Sequence, residues 1–252
     1  MEKSPFFLIN KLFVCIVDKQ VLYDINLNIS KGTIHAIMGP NGSGKSTFAH
    51  VLMGHPSYTV ASGTVLFNEV DLLSLSVHER AKQGLFLAFQ HPCEISGVSV
   101  ASFLKEAYVA IKGKSISVID FQVLLLERCA KLEIDASFIF RGFNEGFSGG
   151  EKKRLEILQL LLLQPKIAIL DEIDSGLDID SLKIVAHGIA LARDENPEMS
   201  IIVITHYQRI LNYVIPDYVH VLCDGRMVIS GDASIAHQLE AKGYDGFKTI
   251  TT

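Results

Sequence analysis

Apolar and polar positions along this chain fall into three successive textures. Phe6 to Leu27 is dense in Phe, Leu, Val and Ile, with a polar break at Asp18-Lys19-Gln20, which predicts an antiparallel β pair and its turn. Ser30-Lys31-Gly32 turns the chain into Thr33 to Met38, a buried strand by its continuous apolar run. A short helix follows over Thr47 to Met53, stopped by Gly54-His55-Pro56, and Gly63 to Phe67 with Asn68-Glu69 reads as another strand and turn. Leu85 to Phe89 is a core strand that ends at Gln90-His91-Pro92. From Cys93 to Phe143 the spacing becomes helical, with Ala101, Leu104 and Tyr108 on one face and Phe121, Leu124, Leu125 and Cys129 on another. Beyond a glycine-rich stretch, Gly142 to Gly150, the segment Glu151 to Leu163 predicts a helix with Leu155, Leu158 and Leu162 on one face. Lys166 to Leu170 and Ser200 to Ile204 are apolar on both parities, as parallel strands covered on both sides must be. They end at Asp171-Glu172 and Thr205-His206. Tyr218 to Ile229, turning at Asp224-Gly225, reads as a hairpin.

The pattern predicts an α/β chain: a mixed core sheet, an antiparallel β layer and an inserted helical subdomain. The expected division is a core of residues 1–92 and 143–252 around an insertion of residues 93–142, within one domain spanning 1–252. Three core strands end in polar residues at their carboxyl ends, where open α/β sheets bind ligands.

Between the first core strand and its helix lies Gly39-Pro40-Asn41-Gly42-Ser43-Gly44-Lys45-Ser46-Thr47. The Gly-x4-Gly-Lys-Ser spacing makes a phosphate-binding loop, a P-loop: glycines let backbone amides converge on a polyphosphate, and the helix start adds partial positive charge. Lys45 is placed to reach the β and γ phosphates, and Ser46 to hold magnesium.

Composition narrows the surroundings. The 252 residues carry 48% hydrophobic and 20% charged side chains, and a net charge of -5 gives no electrostatic case for nucleic acid as a partner. No apolar run reaches the ~20 residues that span a bilayer, so no direct membrane insertion is expected. Met1 to Asn10 has neither a basic start nor a long apolar segment, so no leader is expected, and a reducing, cytoplasmic setting is the simplest assignment. Cys15, Cys93, Cys129 and Cys223 are scattered and read as ordinary thiols.

A P-loop alone leaves many nucleotide hydrolases open. The second motif, Phe147-Ser148-Gly149-Gly150-Glu151, lies just ahead of the acidic strand end Asp171-Glu172, and here the chain resembles the ABC ATPase family. The resemblance implies a P-loop NTPase fold of ABC type, with ATP and Mg2+ as ligands and two copies closing transiently head to tail. Ser148, Gly149, Gly150 and Glu151 would then face the nucleotide of the partner copy. Gln90 matches the family's Q-loop glutamine and Asp171 its Walker B aspartate, both at the magnesium with Ser46. Glu172 matches the catalytic base, Asp178 the D-loop, and His206 the switch histidine, so that Glu172, His206 and Lys45 form the catalytic group.

Within that family, Ala88 to Pro92, Gly146 to Arg154, Asp174 to Asp180 and Thr205 to Arg209 are similar to the SufC family, the ATPase subunits of Suf iron-sulfur cluster assembly machines. That likeness implies SufB- and SufD-like scaffold proteins as partners, docking around Gln90 and the helical insertion, in bacterial cytoplasm or a plastid stroma. Ile173-Asp174-Ser175 and Glu151-Lys152-Lys153 stand where transporter cassettes usually carry Glu-Pro-Thr and Gln. From the added charges, an ion pair of Lys152 with Glu172 or Asp174 is expected to hold a resting state. The family commonly stacks adenine on an aromatic residue of the early β layer; Cys15 to Asp18 has none, which predicts modest selectivity for ATP over GTP. Two other readings share much of the machinery: the energising subunit of a membrane transporter, and a nucleotide-gated clamp that needs no turnover.

Overall fold

The computed structural model describes residues 6–244. Of the leader expectation over Met1 to Asn10, the first five residues lie outside the described ones, and Phe7 already opens a strand. That strand, β1 (Phe7–Ile16), pairs antiparallel with β2 (Lys19–Ile29) across a turn at Val17-Asp18. β3 (Ile34–Met38) runs into the P-loop and α1 (Lys45–Met53), which starts two residues earlier than its apolar pattern suggests. β4 (Thr59–Phe67) begins before Gly63 and pairs with β1 and with the short β5 (Val70–Asp71), completing a four-stranded layer in the order β2-β1-β4-β5. α2 (Val77–Gln83) is an unforeseen helix, started by a capping box in which Ser76 and Glu79 satisfy each other's backbone amides.

β6 (Leu85–Ala88) returns to the core. Next come β7 (Ile95–Ser99), α3 (Val100–Lys112), α4 (Val118–Lys131) and β8 (Gly142–Phe143), then α5 (Gly149–Leu163). β7 and β8 pair antiparallel, Ile95 with Phe143 and Ser99 with Gly142, so the helical segment leaves and rejoins the core through one two-stranded ladder. The chain ends with β9 (Ile167–Asp171), α6 (Ile179–Glu195), β10 (Ser200–Thr205), β11 (Tyr218–Cys223), β12 (Arg226–Gly231) and α7 (Ser234–Lys242).

The core sheet has the order β12-β11-β3-β10-β9-β6, with β12 antiparallel and the rest parallel. Period-two alternation sends its side chains to two apolar cores. Ala36, Leu170 and Val203 join α5 and α6 on one face; Ile37, Ile169 and Ile202 join α1 and the antiparallel layer on the other. With both faces covered, the parallel strands leave only their carboxyl ends open, and P-loop, Gln90, Asp171-Glu172 and His206 all gather there.

Candidate functional site

The P-loop backbone is set by contacts only glycine allows. A Cβ on Gly39 would lie 2.1 Å from the Leu222 carbonyl oxygen on β11, so the loop packs directly against the neighbouring strand. Gly44 caps α1 at φ +104, in the left-handed region. Gly42 has open space where a Cβ would be, on the side facing the cleft. Lys45 folds back over the loop: its Nζ donates to the Gly39 and Pro40 carbonyls at 2.9 and 3.0 Å. It lies 3.9 Å from Glu172 Oε1. Burial lowers the Lys45 pKa, and the nearby Glu172 and Asp171 partly oppose that shift.

Facing the loop, β9 delivers two carboxylates. Asp171 is 1% exposed; Ser46 Oγ donates to its Oδ1 at 3.3 Å, and its Oδ2 has no hydrogen-bond partner. Burial pushes this acid up to about 6. A buried, unpartnered carboxylate oxygen beside a hydroxyl is the hard-oxygen pair that suits a magnesium ion, so the residues fit that group. Glu172 turns out of the strand with φ +46, a strained backbone pinned by its N–H donating to Ile204 O at 2.9 Å. Its carboxylate accepts from Gln90 Nε2 at 2.6 Å and lies 3.3 Å from His206 Nδ1. Residues that follow β3, β6 and β10 thus converge on the carboxylate that follows β9.

A cleft of about 850 Å³ runs from Lys45, Ser46, Gln90, Glu172 and His206 to Ile16, Gln20 and Tyr23 of the β1-β2 pair. Tyr23, further along β2, gives the cleft an aromatic residue that Cys15 to Asp18 lacks. The Arg226 guanidinium lies 4.8 Å from its ring centroid, and its hydroxyl donates to Gln20 O.

The Ser148 motif is elsewhere. Ser148 is the exposed N-cap of α5, accepting from Glu151 N–H, while the Glu151 carboxylate accepts from Ser148 N–H and pairs with Arg141. Neither they nor Gly149 and Gly150 line the cleft of their own chain. Asp178 caps α6, accepting from Ser181 N–H at 2.7 Å. The expected ion pair of Lys152 is not formed: Lys152 Nζ meets Glu94 at 3.1 Å, while Asp174 is held by the Thr205 hydroxyl. The cause is helical phase. Successive residues on α5 turn by ~100°, so Lys152 points to the surface and it is Lys153 that enters the interior.

Phosphate loop, buried strand-end acids and the open carboxyl ends of the sheet together define a P-loop nucleotide hydrolase. Comparisons with known proteins narrow the class. The ABC transporter family profile matches residues 22–175. Vegetative protein 296 of Bacillus subtilis (strain 168) is 53% identical over 242 residues, covering 95% of this chain and 92% of that protein. A probable ATP-dependent transporter, ycf16, of Cyanophora paradoxa is 50% identical over 248 residues, covering 97% and 95%. The dimeric structure of MJ0796, a bacterial ABC transporter cassette, superposes with a TM-score of 0.78 at 20% identity, over 90% of this chain and 98% of that one, a likeness of fold. The chain belongs to the ABC transporter ATPase family: it is an ATP-binding cassette whose reaction is ATP hydrolysis.

Proposed function

We propose that this cassette uses ATP hydrolysis to change the shape of a SufB-SufD-like scaffold on which an iron-sulfur cluster is built. The loop from Gly39 to Thr47 wraps the phosphates, and Lys45 leaves its carbonyl partners to meet them. Ser46, Asp171 and Gln90 hold magnesium, which when bound neutralises phosphate charge. Glu172 takes the proton of the attacking water, with His206 and Gln90 fixing its carboxylate. Ser148, Gly149 and Gly150 at the start of α5, the first two exposed and the third half-buried, close on the nucleotide of a second copy, with Glu151 holding the cap and Asp178 near the seam. Residues 93–142 act as the subdomain that passes the state of Gln90 to the scaffold, in bacterial cytoplasm or plastid stroma.

The observation that carries the scaffold reading is the built setting of Gly146 to Arg154 and Asp174, the stretches similar to the SufC family. Glu151, Lys152, Lys153 and Asp174 each have a defined partner, in Arg141, Glu94, Glu156 and Thr205. The second reading, a subunit that energises a membrane transporter, is favoured by relatives such as ycf16 of Cyanophora paradoxa, a probable ATP-dependent transporter. A pull-down of the tagged chain from its host at low salt, with partners identified by mass spectrometry, separates the two. Partners of SufB and SufD type, with faster ATP hydrolysis in the eluate than in the purified chain, support the scaffold reading. Integral membrane partners support transport.

A further inference from the structure

The loop after β6 is gripped from outside the nucleotide cleft. Lys153 and Glu156 sit at i and i+3 on α5, 4% and 3% exposed, with their charged ends 3.3 Å apart. A pair buried this deeply is costly unless its remaining hydrogen-bonding capacity is met. Here the main chain of two consecutive residues helps meet it. Glu156 Oε1 accepts from Phe89 N–H at 2.6 Å. Lys153 Nζ donates to the Phe89 carbonyl at 2.5 Å and the Gln90 carbonyl at 3.1 Å. The side chain that grows from this clamped segment is Gln90, and its amide reaches Glu172 at 2.6 Å.

We propose that Lys153 and Glu156 are positioning residues for ATP hydrolysis: by gripping the main chain at Phe89 and Gln90, they set the Gln90 amide against Glu172 and tie that contact to α5. The same helix presents Ser148 to Gly150 at its start, one turn before Lys153. A tilt of α5 when a second copy docks there is therefore carried by two charged side chains to the acid of its own site. Neither residue lines the nucleotide cleft. The inference rests on the roles proposed above for Gln90 and Glu172.

The test is steady-state ATPase kinetics and equilibrium nucleotide binding on the full chain, for Glu156→Ala, Gln90→Ala and the double variant. The expected result is a kcat about tenfold lower in Glu156→Ala, with nucleotide affinity within about threefold of the parent. In the Gln90→Ala background the same substitution costs less than about twofold, because the group it positions is gone. A third variant, Lys153→Met with Glu156→Leu, replaces the pair by apolar groups of similar length and keeps the test open if the alanine variant does not fold. It is expected to fold, with a melting temperature lowered by the unpaired Phe89 N–H, and to show the same loss of kcat. Equal losses in both backgrounds, or full turnover in the apolar variant, overturn the inference. If Gln90→Ala loses turnover and Glu156→Ala does not, only the clamp fails. Full turnover in Gln90→Ala overturns the role of Gln90 and the inference with it.

Discussion

His35 on β3 and His220 on β11 lie ring to ring, inside the fold. Their nitrogens meet at 2.9 Å, and the outer nitrogens reach Thr33 and Ser230. Tyr218 stacks on His35. Burial lowers both pKa values to about 4, Asp217 pulling His35 the other way and His35 lowering His220 further. An unfolded imidazole takes its proton near 6.5, so the unfolded chain binds more protons between about 6.5 and 4. The contribution of the pair is complete above that window and is lost as pH falls through it, on the order of 3 kcal/mol for each histidine. Urea unfolding at pH 7.5 and pH 5 reads the upper part of that loss, and His220→Gln should lessen the dependence. Gly39 makes a sharper case. Its missing Cβ is what lets the P-loop touch Leu222, so Gly39→Ala should abolish nucleotide binding in a direct titration and lower the melting temperature.

At the scale of elements, α5 and α6 meet through Gly188. A Cβ there would sit 2.3 Å from Ile157 Cγ2 and 2.7 Å from Leu132 Cδ2. Glycine to alanine inside an exposed helix gains ~1 kcal/mol. Here overpacking should reverse the sign, and Gly188→Ala is expected to cost about 1–3 kcal/mol in chemical denaturation. Ser148→Ala, removing the cap of α5 at the surface, should cost about 1 kcal/mol by the same measurement. Elements whose signal is local were legible in the sequence: the P-loop, and the apolar strands ending in Gln90, Asp171-Glu172 and Thr205-His206. α2 was also written there, as Ser76 and Glu79 at capping-box spacing, but its seven residues carry little periodicity. The β7-β8 ladder was not legible, because its partners stand far apart in sequence and β8 has only two residues. The pair expected of Lys152 was not legible, because helical phase decides which lysine is buried: Lys152 meets Glu94, and the buried Lys153 meets Glu156 rather than Glu172 or Asp174.

Across the whole molecule, the site draws one residue or loop from each of four parallel strands, so turnover depends on the sheet as a unit. Glu172→Gln keeps the shape of the acid and removes its basicity. It should lower turnover by about a hundredfold or more while leaving ATP binding intact. By the head-to-tail reading, it should also accumulate as a dimer with ATP, which light scattering during size-exclusion chromatography detects. A monomer at saturating ATP would count against that arrangement. The ladder of β7 and β8 has a longer reach. Since Ile95 and Phe143 are cross-strand neighbours, everything between them departs and returns at one place, and its length enters no register of the core sheet. Over evolutionary time such a stretch is free to vary on its outward face alone, because Leu104, Phe121 and Leu132 hold its inner face in the apolar core shared with α5 and α6.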